Sequence, residues 1–278
     1  MTRGRAAAPA SLSSAPVAPA PVPAPAPSER QRLVWDDGGL TTLPASAVFG
    51  ALLIGAVLPL VPFLGRIARL AATIAHEVGH CVVVVPFGGR IRRIDLHPDG
   101  SGEAWVSLGR VPGAVRWLVR VLNLFAGYSA PLWAGVLLVT GAVVGSPWLP
   151  VVVLGVVGLV ALAFVRNWFG LLVVVGFDAL ALWVALRPSE LTLLVVAALG
   201  AAFLVDGLRS LLQVLRWLLT GARVQTDFHI AAAEMRLPAV VWFVLFLAVN
   251  GLAVWAAREP LLAVRDTVVV GIGALVGA

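Results

Sequence analysis

The sequence predicts an all-α polytopic membrane protein of about six to eight transmembrane helices, with one small β-hairpin after the second span. Three observations lead there. The chain of 278 residues is 60% apolar, with 12% charged residues and a mean hydropathy of +0.98; a soluble domain carries roughly 25% charge. The apolar residues run in blocks near the roughly 20 residues that cross a hydrocarbon core. Short segments holding scattered arginines separate the blocks.

This composition excludes an ordinary water-soluble globule, and equally a disordered chain, which is poor in apolar residues. All 20 basic residues are arginine. With the abundant Ala, Val, Leu and Gly, that points to a GC-rich bacterial genome. The net charge of +6 and pI near 11.3 raise nucleic acid as a partner. The arginines are spread along loops rather than gathered on one face, so orientation in a bilayer explains them and no nucleic-acid partner is expected. The single cysteine, Cys81, excludes a disulfide framework and a multi-cysteine metal site within one chain.

Residues 1–44 read as a disordered tail and 45–278 as the membrane domain. The Ala/Pro repeat over 15–27 cannot form a helix, because prolines recur too often, and it predicts an extended solvated tether. No uninterrupted apolar run of the right length follows Arg3 and Arg5, so the tail does not read as a signal peptide. Spans are predicted near 45–64, 67–87, 117–144, 148–165, 168–187, 191–218 and 238–257. The segment 261–278 stays open between spanning, interfacial and half-buried, since Arg265 and Asp266 leave a short apolar run after them. With seven spans, fifteen arginines fall on the side of the tail and the 88–116 loop, and five on the other. The positive-inside rule then places the tail in the cytoplasm of a bacterial inner-membrane, multi-pass protein.

One segment breaks the helical pattern. Ile94, Leu96, Ala104, Val106 and Leu108 alternate with polar neighbours, around the turn chemistry of Pro98-Asp99-Gly100-Ser101-Gly102. This predicts a hairpin over about 90–108 at the cytoplasmic membrane face.

The chemistry lies in His76-Glu77-Val78-Gly79-His80. In a helix, residues 76 and 80 share one face, so both imidazoles can bind one zinc ion at about 2.0–2.1 Å. Glu77 beside them can take a proton from a metal-bound water, whose pKa zinc lowers toward roughly 7. Gly79 leaves room for another backbone. With four histidines and six glutamates in the chain, random placement gives roughly 0.001 copies of this pattern. The motif also lies inside an apolar segment, where each ionisable residue costs about 2.5–3.5 kcal/mol on the insertion scale unless paired, protonated or metal-bound.

His-Glu-Val-Gly-His in an early apolar helix, followed by Gly88-Gly89-Arg90 and a short hairpin, resembles the site-2 protease family of intramembrane zinc metallopeptidases. The likeness is greatest to its small bacterial branch. Ala126-Gly127-Tyr128, Arg166-Asn167 and Leu237-Pro238 to Trp242 also look family-like. The resemblance implies hydrolysis of peptide bonds in membrane-spanning or membrane-proximal substrates. It implies His76 and His80 as zinc ligands and Glu77 as general base.

The resemblance further implies a third ligand, an aspartate on a later helix in an Asp-Gly motif preceded by Asn-Pro. This chain has no Asn-Pro. Asp206-Gly207, at membrane depth, is the first choice; Asp178 and Asp227 are the alternatives, the latter in a segment that reads as polar loop. An ion pair between Asp206 and Arg209 or Arg223 is the competing reading. An asparagine near the metal holds substrate or oxyanion in this family, and Asn167 is its candidate counterpart; a plain loop between two spans is the simpler reading of Arg166-Asn167.

His97 reads as a turn residue, His229 as a loop histidine, and Cys81 as a small core residue, because adjacent helical positions diverge by about 100°. The tryptophans suit interfacial belts and helix packing. Gly127, Gly135 and Gly141 suit close helix approach. The hairpin offers an edge strand to hold an unwound peptide. The expected partners are a membrane-protein or peptide substrate and the bilayer. A catalytically inactive scaffold keeping the same fold is the main alternative, and a metal or small-molecule transporter a lesser one, since no inverted repeat is evident.

Overall fold

Proline at the first helical position costs no hydrogen bond, because that N–H has no partner in a helix. Pro62 opens the helix that organises this fold, α2 (Pro62–Val84), after the shorter α1 (Ala45–Val57). The computed structural model describes residues 32–35, 40–109, 111–146, 148–187, 189–222 and 224–276. The Ala/Pro repeat lies outside the described residues. Within the predicted tail, Arg32–Trp35 (β1) and Leu40–Leu43 (β2) pair antiparallel, so that part carries a short ladder.

After α2 come the hairpin strands β3 (Arg90–Leu96) and β4 (Gly102–Ser107), then α3 (Gly113–Val144), α4 (Trp148–Phe164) and α5 (Trp168–Leu186). The chain continues through α6 (Glu190–Thr220), α7 (Asp227–Met235), α8 (Ala239–Ala256) and α9 (Arg258–Val276). Among the described residues, five helical segments are long and apolar enough to cross a membrane: 62–87, 115–144, 168–186, 190–220 and 239–256; α1 and α4 are apolar but shorter. The chain is an all-α multi-pass membrane protein with a small hairpin, as predicted. Large apolar side chains such as Leu172, Leu182, Val244 and Leu252 lie exposed on α5 and α8, which is the arrangement for facing lipid rather than water. Of the segment left open at 261–278, the described residues to 276 lie in α9, which packs on α1; a side chain at Gly271 would collide with Phe49.

Local signals set the ends of these elements. Gly88, Gly145 and Gly221 take left-handed backbone after their helices, where L side chains are strained. Ser189 accepts a hydrogen bond from the Thr192 N–H (3.2 Å) to cap α6. The hairpin turn closes as Asp99 accepts from the Ser101 N–H (2.9 Å) and hydroxyl (2.7 Å).

One core, built on Ile74, Val78, Leu138, Val196 and Phe203, joins α2, α3 and α6. A second, built on Phe125, Val214, Phe228, Trp242 and Phe246, holds α7 and α8 against α3 and α6. With lipid on the outside, close approach rather than water exclusion drives such packing, and small residues permit it. Gly135 on α3 and Gly200 on α6 face one another, so that a Cβ on either would meet the other's carbonyl oxygen at 2.8–2.9 Å. Gly79 does the same for α2 against α3: an added Cβ would lie 2.5 Å from the Ala126 carbonyl oxygen and 2.7 Å from the Ala130 Cβ. Gly79→Ala is therefore expected to destabilise the protein by about 1–3 kcal/mol. Gly251→Ala on α8, where an added Cβ meets nothing within 4 Å, is expected to be neutral or to add up to about 1 kcal/mol. Thermal unfolding in detergent separates the two; a Gly79→Ala midpoint equal to wild type would contradict this packing.

Candidate metal centre

One helical turn puts His76 and His80 on the same face of α2, and that face is turned toward α3 and α7. Their Nε2 atoms stand 3.2 Å apart. Asp227 Oδ2 lies 3.3 Å from His76 Nε2 and 3.4 Å from His80 Nε2. Three atoms bound to tetrahedral zinc at about 2.0–2.1 Å are necessarily about 3.3–3.4 Å from one another. The triangle fits a zinc-sized ion with two imidazoles and one carboxylate. Among the described residues this is the group of histidine, cysteine and acidic side chains arranged to hold a metal.

Each corner has a structural cause. His80 Nδ1 donates to the Asn123 carbonyl at 2.9 Å, and the Asn123 amide donates back to the His80 carbonyl at 2.8 Å. With the proton on Nδ1, Nε2 keeps its lone pair for a ligand role. The Tyr128 ring meets His76 edge-on, with ring centroids 4.7 Å apart, and stacks on Phe228 at 5.1 Å. Phe228 is fully buried against Phe243 and Phe246. It pins the first turn of α7, where the preceding Asp227 also suits the positive end of the helix dipole. Burial works against charge on Asp227, but the hydrogen bonds and the electrostatic pull of the two imidazoles beside it outweigh it and hold the carboxyl well below the usual carboxylate range.

Glu77 is buried beside the triangle. The hairpin folds onto it: Thr73 donates to the Gly100 carbonyl at 2.8 Å, and the Ala104 N–H faces the Glu77 carboxylate. Gly102 makes this contact possible, because a Cβ there would fall 2.7 Å from Thr73 Cγ2 and 3.0 Å from Glu77 Cγ. Two cavities, of about 900 and about 340 Å³, share His80, Ala104, Asp227 and Ile230. The triangle therefore sits where they meet, with β4 along both.

The remaining sequence candidates lie elsewhere. Asp206 is buried on α6 and lines the larger cavity, with Arg69 Nε 4.0 Å from its Oδ1; it does not join the two histidines. Its ion pair is with Arg69, from another helix; Arg209 acts on it electrostatically while donating to the Pro59 carbonyl at 3.1 Å, and Arg223 lies outside the described residues. Asp178 packs against Gly158 of α4 and borders neither cavity. Asn167 is engaged with the backbone of Leu96 on β3, so its amide is not aimed at the triangle. His97 is a turn residue, its N–H donating to the Ser101 carbonyl at 2.8 Å. His229 bonds Thr226 at 2.8 Å. Cys81 is a buried core residue. The loop expected over 219–237 contains the helix α7, and the signal for it was the Thr226-Asp227 start followed by apolar Phe228 and Ala231 three residues apart. Asn123 and Thr73 carry no motif; only the fold reveals their roles.

Gly127 lies opposite the histidines. An added Cβ would lie 2.5 Å from His80 Nε2 and 2.8 Å from His76 Nε2. Gly127→Ala is expected to weaken zinc affinity by at least about tenfold, read by competition against a chromophoric chelator. Unchanged affinity in the folded variant would contradict the triangle as the metal site.

The sequence profile described as Peptidase M50B-like matches residues 49–257, about three quarters of the chain. That stretch holds both histidines, Glu77 and Asp227. No curated protein and no solved structure matches the chain. The chain belongs to the peptidase M50B-like family, the site-2 protease-like family of metal-dependent membrane peptidases.

Proposed function

We propose that this protein is an active zinc endopeptidase that hydrolyses peptide bonds of membrane-spanning or membrane-proximal substrates. The observation that carries the reading is the His76–His80–Asp227 triangle, with ligand atoms 3.2–3.4 Å apart beside the buried carboxylate of Glu77. His76, His80 and Asp227 are the protein ligands in this reading, and Asp227 takes the place that sequence reasoning assigned first to Asp206. Zinc held there would supply Lewis acidity to the scissile carbonyl and to water. Glu77 accepts the proton that water gives up as its oxygen bonds the carbonyl carbon. It then passes that proton to the departing amide nitrogen as the C–N bond breaks. Nothing is oxidised or reduced.

Two features support a peptide as the substrate. A helix hides its carbonyls in internal hydrogen bonds, so a transmembrane substrate must unwind to react. β4 runs beside both cavities with its edge toward the triangle, and an extended peptide can pair with such an edge. The arginine bias supports a bacterial inner-membrane location with the tail and hairpin on the cytoplasmic side.

Glu77→Gln tests the reading. It is expected to retain the wild-type zinc content and to lose at least about 100-fold in cleavage of labelled casein in detergent. Undiminished cleavage by the zinc-loaded variant, or no cleavage by zinc-loaded wild type, would overturn it.

A further inference from the structure

The hairpin has two edges, and only one of them borders the cavities. The loop between α4 and α5 occupies the other. Val165 forms a parallel bridge with Ile94, and the Arg166 N–H donates to the Ile94 carbonyl at 3.0 Å. Asn167 continues the pairing with its side chain. Its Oδ1 accepts from the Leu96 N–H at 3.1 Å, and its Nδ2 donates to the Leu96 carbonyl at 2.5 Å. The amide thus offers the donor and acceptor that a neighbouring strand would present. Gly170, one turn into α5, makes the space, because a Cβ there would fall on Asn167 Oδ1. Ile94 and Leu96 are fully buried under this arrangement.

The register fixes what the opposite edge exposes. In an antiparallel pair, residues that turn their backbone groups outward on one strand face residues that turn theirs outward on the other. Ile94 pairs with Ala104, and Leu96 with Gly102. Since Ile94 and Leu96 bond to the loop, Gly102 and Ala104 present their backbone groups on the side of Glu77 and the cavities.

We infer that Asn167 is a positioning residue: it serves as a built-in third strand that closes β3, so that a substrate peptide pairs only along β4, at the backbone groups of Gly102 and the carbonyl of Ala104, whose N–H faces Glu77. This deepens the peptidase reading and rests on it for the substrate; the clamp itself does not. The carboxamide acts through the hairpin and touches neither metal nor peptide. The role differs from holding an oxyanion, which would need the amide free and directed at the triangle.

The test uses the full chain in detergent, as wild type, Asn167→Ala and Gly170→Ala. Asn167→Ala removes the paired amide, whereas Gly170→Ala leaves it present but displaces it. Hydrogen exchange is read over residues 90–107, zinc content is measured, and steady-state cleavage is followed with labelled casein. Both variants are expected to speed hairpin exchange by at least about tenfold with zinc content unchanged. KM for casein is expected to rise at least about fivefold, with kcat changing by less than about twofold. If Asn167→Ala does not yield folded protein, Gly170→Ala carries the test. Unchanged exchange in the folded variants overturns the clamp whatever the activity. Faster exchange with unchanged KM, or a fall in kcat alone, overturns the positioning role. Faster exchange in a protein whose wild type does not cleave would sink the peptidase reading and the positioning role together, and leave the clamp standing.

Discussion

Two imidazoles and two carboxylates sit inside or against an apolar bundle, and their mutual satisfaction is the constraint on which the rest of the structure depends. Each alone would cost several kcal/mol at that depth. Together, with Nε2 of His76, Nε2 of His80 and Oδ2 of Asp227 within 3.2–3.4 Å of one another, they compensate one another in an arrangement that could hold a cation. That convergence demands backbone proximity. α2 approaches α3 at Gly79, and α3 presents Gly127 to the histidines, where a larger residue would occupy the triangle. α7 must also be held still, which Phe228 does by filling the aromatic core among Tyr128, Phe243 and Phe246.

The hairpin is the second consequence. A sheet edge left open beside lipid carries unpaired backbone groups, which a membrane penalises. Here one edge is closed by Val165, Arg166 and Asn167, and the other lies beside the buried Glu77 and the two cavities. The arrangement leaves backbone pairing capacity where an unwound peptide could use it and closes the edge where it could not. Thr73 and Gly102 join this edge to α2, so Glu77 and the strand keep a fixed relation.

Much of this was legible in the sequence, because helical periodicity and span length are local signals. Five of the seven predicted spans, the hairpin at 90–108 and the facing of His76 and His80 follow from spacing alone, whereas 45–64 and 148–165 fall on apolar helices shorter than a span. What sequence could not rank was the third acidic residue. Asp206 had membrane depth and a following glycine in its favour, and both are real features: it is buried and lines the larger cavity. Its partner Arg69 lies more than a hundred residues earlier, and Asp227 meets His76 across a similar gap, so pattern does not reveal either pairing. Nothing in the sequence marks the approach of Asp227 to the histidines, because α7 has nine residues, too few for a clear apolar period, and its anchoring comes from Phe228 meeting rings on other helices. The Asn167 pairing is hidden for the same reason, since nothing in Arg166-Asn167 names Leu96 as its partner.

The most direct measurement is zinc K-edge X-ray absorption on the zinc-loaded full chain, for wild type, Asp227→Ala and Asp206→Ala. Wild type should show nitrogen and oxygen scatterers at about 2.0–2.1 Å with the outer-shell pattern of two imidazoles. Asp227→Ala should change that first shell or abolish zinc binding, while Asp206→Ala should leave the spectrum as in wild type. A spectrum that responds to Asp206→Ala and ignores Asp227→Ala, or one without histidine scattering, would contradict the His76–His80–Asp227 centre.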